Sequence, residues 1–542
     1  MKRLLLMLLV VTMLFSLIGC GGSADVPAAQ PTATASEETP SESLAPVDES
    51  NYDEPMTISL ASVQLVAGVD YNEDDFSKFF QDKYNIQWDL ISLSWDDWAE
   101  KMRIWINSND MPDLATWNYV HGEAINYAEQ GLVRRFPDDW KTTWPNVAKA
   151  YDDSQLGPAV EEIMGGTFFL PKPIFSTNTP CNPLVPHTSL MIRKDWFEAV
   201  GAEIKDAYKM SEINDIARKI KEQDPGNLGT KLLPINMRYG NASGSYITSN
   251  NEYAINNNQF YKDENNKYHW GPALPETLIG LKLYQKAFQE GLLNPEFFTI
   301  KGDEDKASFF ASGQTGITVS EGMATFFQTF DQELKKNLNL NADEVMHVAY
   351  VIGEDGKYHS EEIMNFWTTS IFSPKMEDAK FERIMDMFDF VATQEGQLMV
   401  RLGFEDKDYS VESDGSYKIL WEEGKQITDI YPSIHPLYGN MVILSDDFAI
   451  INPAFPKKYR DTTLNLYQSK VSYVDETSVP PRDWDAYFQD SPSRRKLSFE
   501  LGKEYAQLIT MSGDLETNWK KWVEDNKPLV DPVLEELNAL VN

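Results

Sequence analysis

The chain has 542 residues, a formal net charge of −36 and two cysteines. Such acidity repels phosphate backbones and argues against nucleic acid, and it disfavours a polyanionic ligand unless a local basic pocket overrides the bulk field. With 42% hydrophobic and 12% aromatic residues, the chain is globular and long enough for two or three cores.

Lys2 and Arg3 precede an almost wholly apolar run from Leu4 to Phe15. That is the charge and length of a secretory signal, too short for a mature membrane span. Leu17-Ile18-Gly19-Cys20 closes it and resembles the lipobox of bacterial lipoproteins. The resemblance implies a signal peptide over 1–19, a Cys20 carrying diacylglycerol with a palmitate-type anchor, and a mature chain of 542 − 19 = 523 residues held on the outer side of the cell membrane. An ordinary signal peptide with an incidental Cys is the alternative. If Cys20 is lipidated, Cys181 is a lone thiol and no intrachain disulfide forms. Gly21 to Pro55 is rich in Ser, Thr, Ala, Pro and Glu. With Cys20 it reads as a lipidated, disordered linker over 20–55.

Order begins near Met56. Thr57 to Val63 suits a strand, and Phe76, Phe79, Phe80 and Tyr84 share one helical face. Ile86, Trp88 and Leu90 alternate as a strand does. Trp98, Met102, Trp105 and Ile106 make another helix face; Leu114 to Thr116 reads as a short buried strand; His121 to Gln130 is helical and Gly131 stops it. Strands are expected before Pro171 and over Leu190 to Ile192, with helices from Asp195 and over Ile213 to Ile220, the latter capped by Ser211. Gly240 to Asn258 is polar and Asn-rich and reads as an exposed excursion. A helix ends at Gly291, Tyr409 to Pro436 suits an inserted hairpin, and Leu497 to Leu540 is largely helical. Alternating strands and helices predict an α/β fold with parallel sheets. No solenoid repeat is present.

The chemistry of common enzymes is missing. There is no P-loop, HExxH or Gly-x-Ser-x-Gly, and six scattered histidines have no zinc spacing. Carboxylates are too abundant for any glycosidase-like pair to be informative. No metal or cofactor is expected. The one loop worth weighing for calcium, Asp224 to Lys231, carries Gly226, Leu228 and Thr230 where oxygen ligands would alternate, and reads as a structural turn.

Several local patterns then recur in one order. Asn107-Ser108-Asn109-Asp110-Met111-Pro112-Asp113-Leu114, Tyr127 to Leu132, Ile192-Arg193-Lys194-Asp195-Trp196, Glu290 to Glu296, Phe309 to Gln314, Glu395-Gly396, Gly403-Phe404 and Gly513 to Glu516 with Trp519 resemble landmarks of bacterial extracellular solute-binding proteins. These are the maltodextrin-binding kind, with the large lipoprotein branch related to alginate-binding proteins. The resemblance implies a two-lobe periplasmic-binding-protein-like fold of type II, with the ligand held in the cleft between lobes joined by crossover strands. Lobe 1 would comprise 56–186 plus about 366–440, and lobe 2 187–365 plus about 441–542.

The resemblance further implies a monomeric, non-catalytic receptor of a sugar ABC importer. It would bind an oligosaccharide, expected to be neutral, and dock on permease subunits. A cell-surface glycan-degrading enzyme and a sensory lipoprotein are the competing classes. Sugars stack their C–H faces on aromatic rings, so Trp117, beyond the Pro112-Asp113-Leu114 strand where α/β folds place ligands, leads the candidates. Asn118 and Tyr119 adjoin it. Trp270 and Trp367 are the facing candidates, and Arg193 and Glu321 complete the set, although Asp195 capping a helix with Trp196 packed inside is the simpler account of the Arg193 segment.

Overall fold

Two five-stranded sheets, each with one strand running against the other four, organise the computed structural model. It describes residues 52–94, 98–117, 123–173, 189–255, 258–300, 308–362, 366–413, 417–422, 425–438 and 455–541, less 155, 476 and 498. The chain divides into Met1–Ser43 and Leu44–Asn542. The first unit lies outside the described residues, and with it Cys20; Cys181 also lies outside them.

Sheet 1 takes β1 (Met56–Ser62), β2 (Ile86–Ser92), β3 (Leu114–Trp117) and β4 (Phe169–Pro173). Sheet 2 takes β5 (Ser189–Arg193), β6 (Ala207–Lys209) and β7 (Leu233–Asn236). After a small hairpin of β8 (Phe260–Lys262) and β9 (Tyr268–Trp270), the chain adds β10 (Thr315–Ser320) and β11 (Met346–Ile352) to sheet 2. It then returns to sheet 1 as β12 (Phe366–Phe372). A second hairpin, β13 (Tyr409–Val411) and β14 (Tyr417–Ile419), follows. The strand orders are 2-1-3-12-4 and 6-11-5-10-7.

In sheet 1 the odd strand is β12, antiparallel to β3 and β4. In sheet 2 it is β5, antiparallel to β10 and β11. Each odd strand is the one by which the chain enters from the other sheet. Both crossovers therefore run between the carboxyl ends of the parallel strands, the side on which open α/β sheets bind ligands.

Packing follows the apolar spacing. The helix Asp75–Tyr84 has an Asp74 cap and buries Phe76, Phe80 and Tyr84 in a core shared with Trp88, Phe372, Phe381 and Phe388. The other face of sheet 1 packs Trp98, Met102, Trp117 and Tyr127, and it also receives Tyr487 and Phe488 of the late helix Trp484–Phe488. The C-terminal part is thus not confined to lobe 2. Sheet 2 buries Trp196, Ile213, Ile220 and Ile317 with Tyr246, Tyr284 and Tyr505.

Two local expectations change. Ser211 is not the cap of its helix, which runs Met210–Gln223; its hydroxyl donates instead to Glu354 at 2.8 Å, so an acidic side chain from beyond β11 serves that N-terminus. The Asn-rich stretch is not an exposed excursion either. Tyr239–Ser243 is helical and runs into a π-helix over Gly244–Thr248, with Ala242, Tyr246 and Ile247 buried. Its amides find partners inside: Asn250 Nδ2 donates to the Tyr246 carbonyl at 2.9 Å, and Asn251 Nδ2 to the Gly271 carbonyl and Thr277 Oγ1 at 3.0 and 2.9 Å. Amides satisfied this way are buried at little cost.

Candidate functional site

The carboxyl rim of sheet 1 is made of small hydroxyl side chains. Ser62, Thr116, Thr368 and Thr369 are all buried. Thr116 Oγ1 donates to Ser62 Oγ at 3.0 Å, and Thr369 Oγ1 donates to the Trp117 carbonyl at 2.7 Å. Between Phe366 and Thr369 the register of β12 on β4 slips, and inside that bulge Thr368 has φ 62°. A β-branched residue in the left-handed region is held there against its own preference. Such strain and bulges cluster at binding sites.

The rim of sheet 2 is amide and hydroxyl. Asn236 ends β7 and is 0% exposed; its Oδ1 accepts from Asn294 Nδ2 at 2.7 Å and its carbonyl from Thr318 Oγ1 at 2.8 Å. Ser320 ends β10, and half-buried Glu321 follows it. The segment leaving β11 is held by charge. His359 lies 2.8 Å from Glu252 and 3.1 Å from Asp355, and Arg482 reaches Glu361 at 3.0 Å and the Glu362 carbonyl at 2.7 Å. Burial lowers the His359 pKa, but the two carboxylates outweigh it and the net direction is up. A separate cavity of 540 Å³ lined by Asp206, His347 and Tyr459 lies at the opposite end of sheet 2, away from the crossovers.

The expected site residues divide. Trp117 stands at the carboxyl end of β3, as its position suggests, but its ring is 2% exposed and packs 5.9 Å from Tyr127; it backs the rim as core. Asn118 and Tyr119 lie outside the described residues, as does the side chain of Trp367, whose backbone is the second residue of β12 at the rim. Glu321 lies at the rim of sheet 2. Trp270 is corrected to a packing role, with its ring stacked 5.1 Å from Trp522 and its Nε1 donating to Gln259 at 3.0 Å. Arg193 is also corrected. Because β5 runs against its neighbours, Arg193 lies at the end of sheet 2 remote from the crossovers, 5% exposed and paired with Asp195 at 2.5 Å.

The Asp224 loop is a turn in geometry. Asp224 has φ 43°, and its carboxylate accepts from the N–H groups of Leu228 and Gly229 at 2.9 and 2.7 Å. Sequence reading missed the β7 loop, where Arg238 and the amides around it gather at the rim. Of these residues only Asn241 falls within the Asn-rich stretch Gly240 to Asn258 that reads as exposed.

The profile of the bacterial extracellular solute-binding protein family matches residues 65–397, more than half of the chain. The Streptococcus pneumoniae ABC-transporter substrate binding protein FusA in complex with kestose is similar at 17% identity and TM-score 0.64, over 89% of this chain and 98% of that one. An HMO binding, ABC-transporter-associated solute binding protein from Bifidobacterium longum infantis is similar at 15% identity and TM-score 0.63, over 90% and 98% of the two chains. The alginate-binding protein AlgQ2 gives the same identity, TM-score and shares. No curated protein matches. At these identities the likeness is one of fold, and that fold is the two-lobe periplasmic-binding-protein-like arrangement.

Proposed function

The chain belongs to the bacterial extracellular solute-binding proteins, and from that premise we propose that it is the lipid-anchored receptor of an ABC importer. It captures an oligosaccharide outside the cytoplasm and hands it to a membrane permease without altering it. The observation that carries this reading is the pair of rims, both at the crossovers and both rich in hydroxyl and amide groups: Ser62, Thr116 and Thr369 on one sheet, Asn236 and Ser320 on the other, where Glu321 and Arg238 follow. Such side chains hydrogen-bond sugar hydroxyls without demanding a charge. Three proteins of this fold are described as binding kestose, HMO and alginate, which supports a glycan.

The acidic bulk charge favours a ligand with few or no anionic groups. Cys20 supplies the anchor, and the receptor works as a monomer with no cofactor, its lobes closing on the sugar by a hinge. Calorimetric titration of the mature protein with a glycan panel tests the reading. Saturable binding to an oligosaccharide is expected, and the absence of binding to every glycan would overturn it.

A further inference from the structure

We propose that the loop at the carboxyl end of β7, Asn236–Ser245, reads a carboxylate on the bound glycan through Arg238. This rests on the receptor reading above and names the ligand class.

Arginine is scarce in this acidic chain and nearly all of it is committed. Of the twelve arginines among the described residues, ten are paired with protein oxygens. The other two are Arg494, whose guanidinium lies 4.8 Å over the Phe260 ring, and Arg238. Arg238 is half-buried, lies two residues past the end of β7, and caps the N-terminus of the helix Tyr239–Ser243. Its carbonyl accepts from the Ala242 N–H at 2.9 Å. Its guanidinium lies along the first helical turn, where a Cβ on Gly240 would stand 3.8 and 3.9 Å from it.

The same stretch of chain also holds polar groups without partners. Asn236 Nδ2, Asn241 Oδ1 and Ser245 Oγ are buried without a hydrogen-bond partner, and Asn236 and Ser245 are 0% exposed. Buried polar atoms in native proteins are nearly always satisfied, so three orphans within ten residues mark a place built for a polar occupant. The loop also carries the π-helix Gly244–Thr248, a distortion that recurs at functional sites.

A guanidinium partly withdrawn from water and left unpaired is costly, and the partner it fits best is a planar, bidentate oxyanion. The amide and hydroxyl orphans of the same ten-residue segment suit sugar hydroxyls. A net charge of −36 limits the number: one carboxylate per ligand matches the one uncommitted guanidinium, whereas a polyuronate meets the repulsion of the whole chain.

The test uses the mature lipoprotein in detergent and oligosaccharide pools from several acidic polysaccharides, each assayed native and after chemical reduction of its carboxylates. At least one native pool should bind tenfold or more tightly than its reduced counterpart. Arg238→Gln should erase that difference while leaving the melting temperature of the sugar-free protein unchanged, and Arg238→Lys should restore part of it. Equal affinity for native and reduced pools, binding of neutral sugars only, or a preference that survives in Arg238→Gln would overturn the inference and leave the receptor reading standing. Binding of neither form by any pool would overturn both.

Discussion

His359 Nδ1 stands 2.8 Å from Glu252 Oε2, joining the segment that leaves sheet 2 for sheet 1 to the Asn-rich stretch of lobe 2. Asp355 meets the other ring nitrogen at 3.1 Å. The nearby Lys357 is itself committed to Asp475 at 2.7 Å. The crossover thus leaves its lobe through a histidine clamped between two carboxylates.

Burial works against the charged ring, but Glu252 and then Asp355 outweigh it, and the pKa is raised from the ordinary 6.5. A raised folded-state pKa stabilises fully below the unfolded value, and the gain is lost as pH rises through the folded one. His359→Gln should therefore lower the melting temperature more at pH 5.5 than at pH 8.5. An equal loss at both values would show that the clamp carries no charge.

Thr368 sits at φ 62° inside the β12 bulge. Thr368→Gly should be close to neutral, because relief of about 1–2 kcal/mol of left-handed strain offsets the about 0.5–1 kcal/mol that glycine loses in chain entropy. Thr369→Ala removes the donor to the Trp117 carbonyl and should cost about 1–3 kcal/mol. Denaturant unfolding of both variants checks this, and a larger loss at 368 than at 369 would contradict it.

Trp117 and Trp270 are both core residues. Either change to Ala should cost about 3–5 kcal/mol in the sugar-free protein. A Trp117→Ala variant with an unaltered melting temperature and weakened glycan binding would return that ring to the cleft.

The anchor rests on Leu17 to Cys20. Cys20→Ala should release the protein from membranes or leave the precursor uncut. Membrane fractionation that finds it processed and still bound would defeat the lipoprotein reading.

The strands and most helices were legible because their apolar residues keep strict periods. The stretch Ile86 to Leu90 alternates and forms β2, and Phe76, Phe80 and Tyr84 line one buried helix face. Chain direction was not legible. Nothing in Leu190 to Arg193 says that β5 runs against its neighbours, so Arg193 was weighed at a cleft from which sheet polarity removes it. Burial of polar sequence was equally hidden. Asn250 and Asn251 look solvent-seeking, yet their partners come from Tyr246, Gly271 and Thr277, distances along the chain that composition cannot see. Ring chemistry misled at Trp117, where the position at the rim was right but the side chain turns into the core.

The central claim is that the cleft retains an oligosaccharide and does not cleave it. Equilibrium dialysis of the mature protein against a mixed oligosaccharide pool, with chain-length chromatography of what is retained, tests it most directly. The account predicts about one oligosaccharide held per protein, recovered at its original length. Retention of none, or recovery of shortened products, would contradict it.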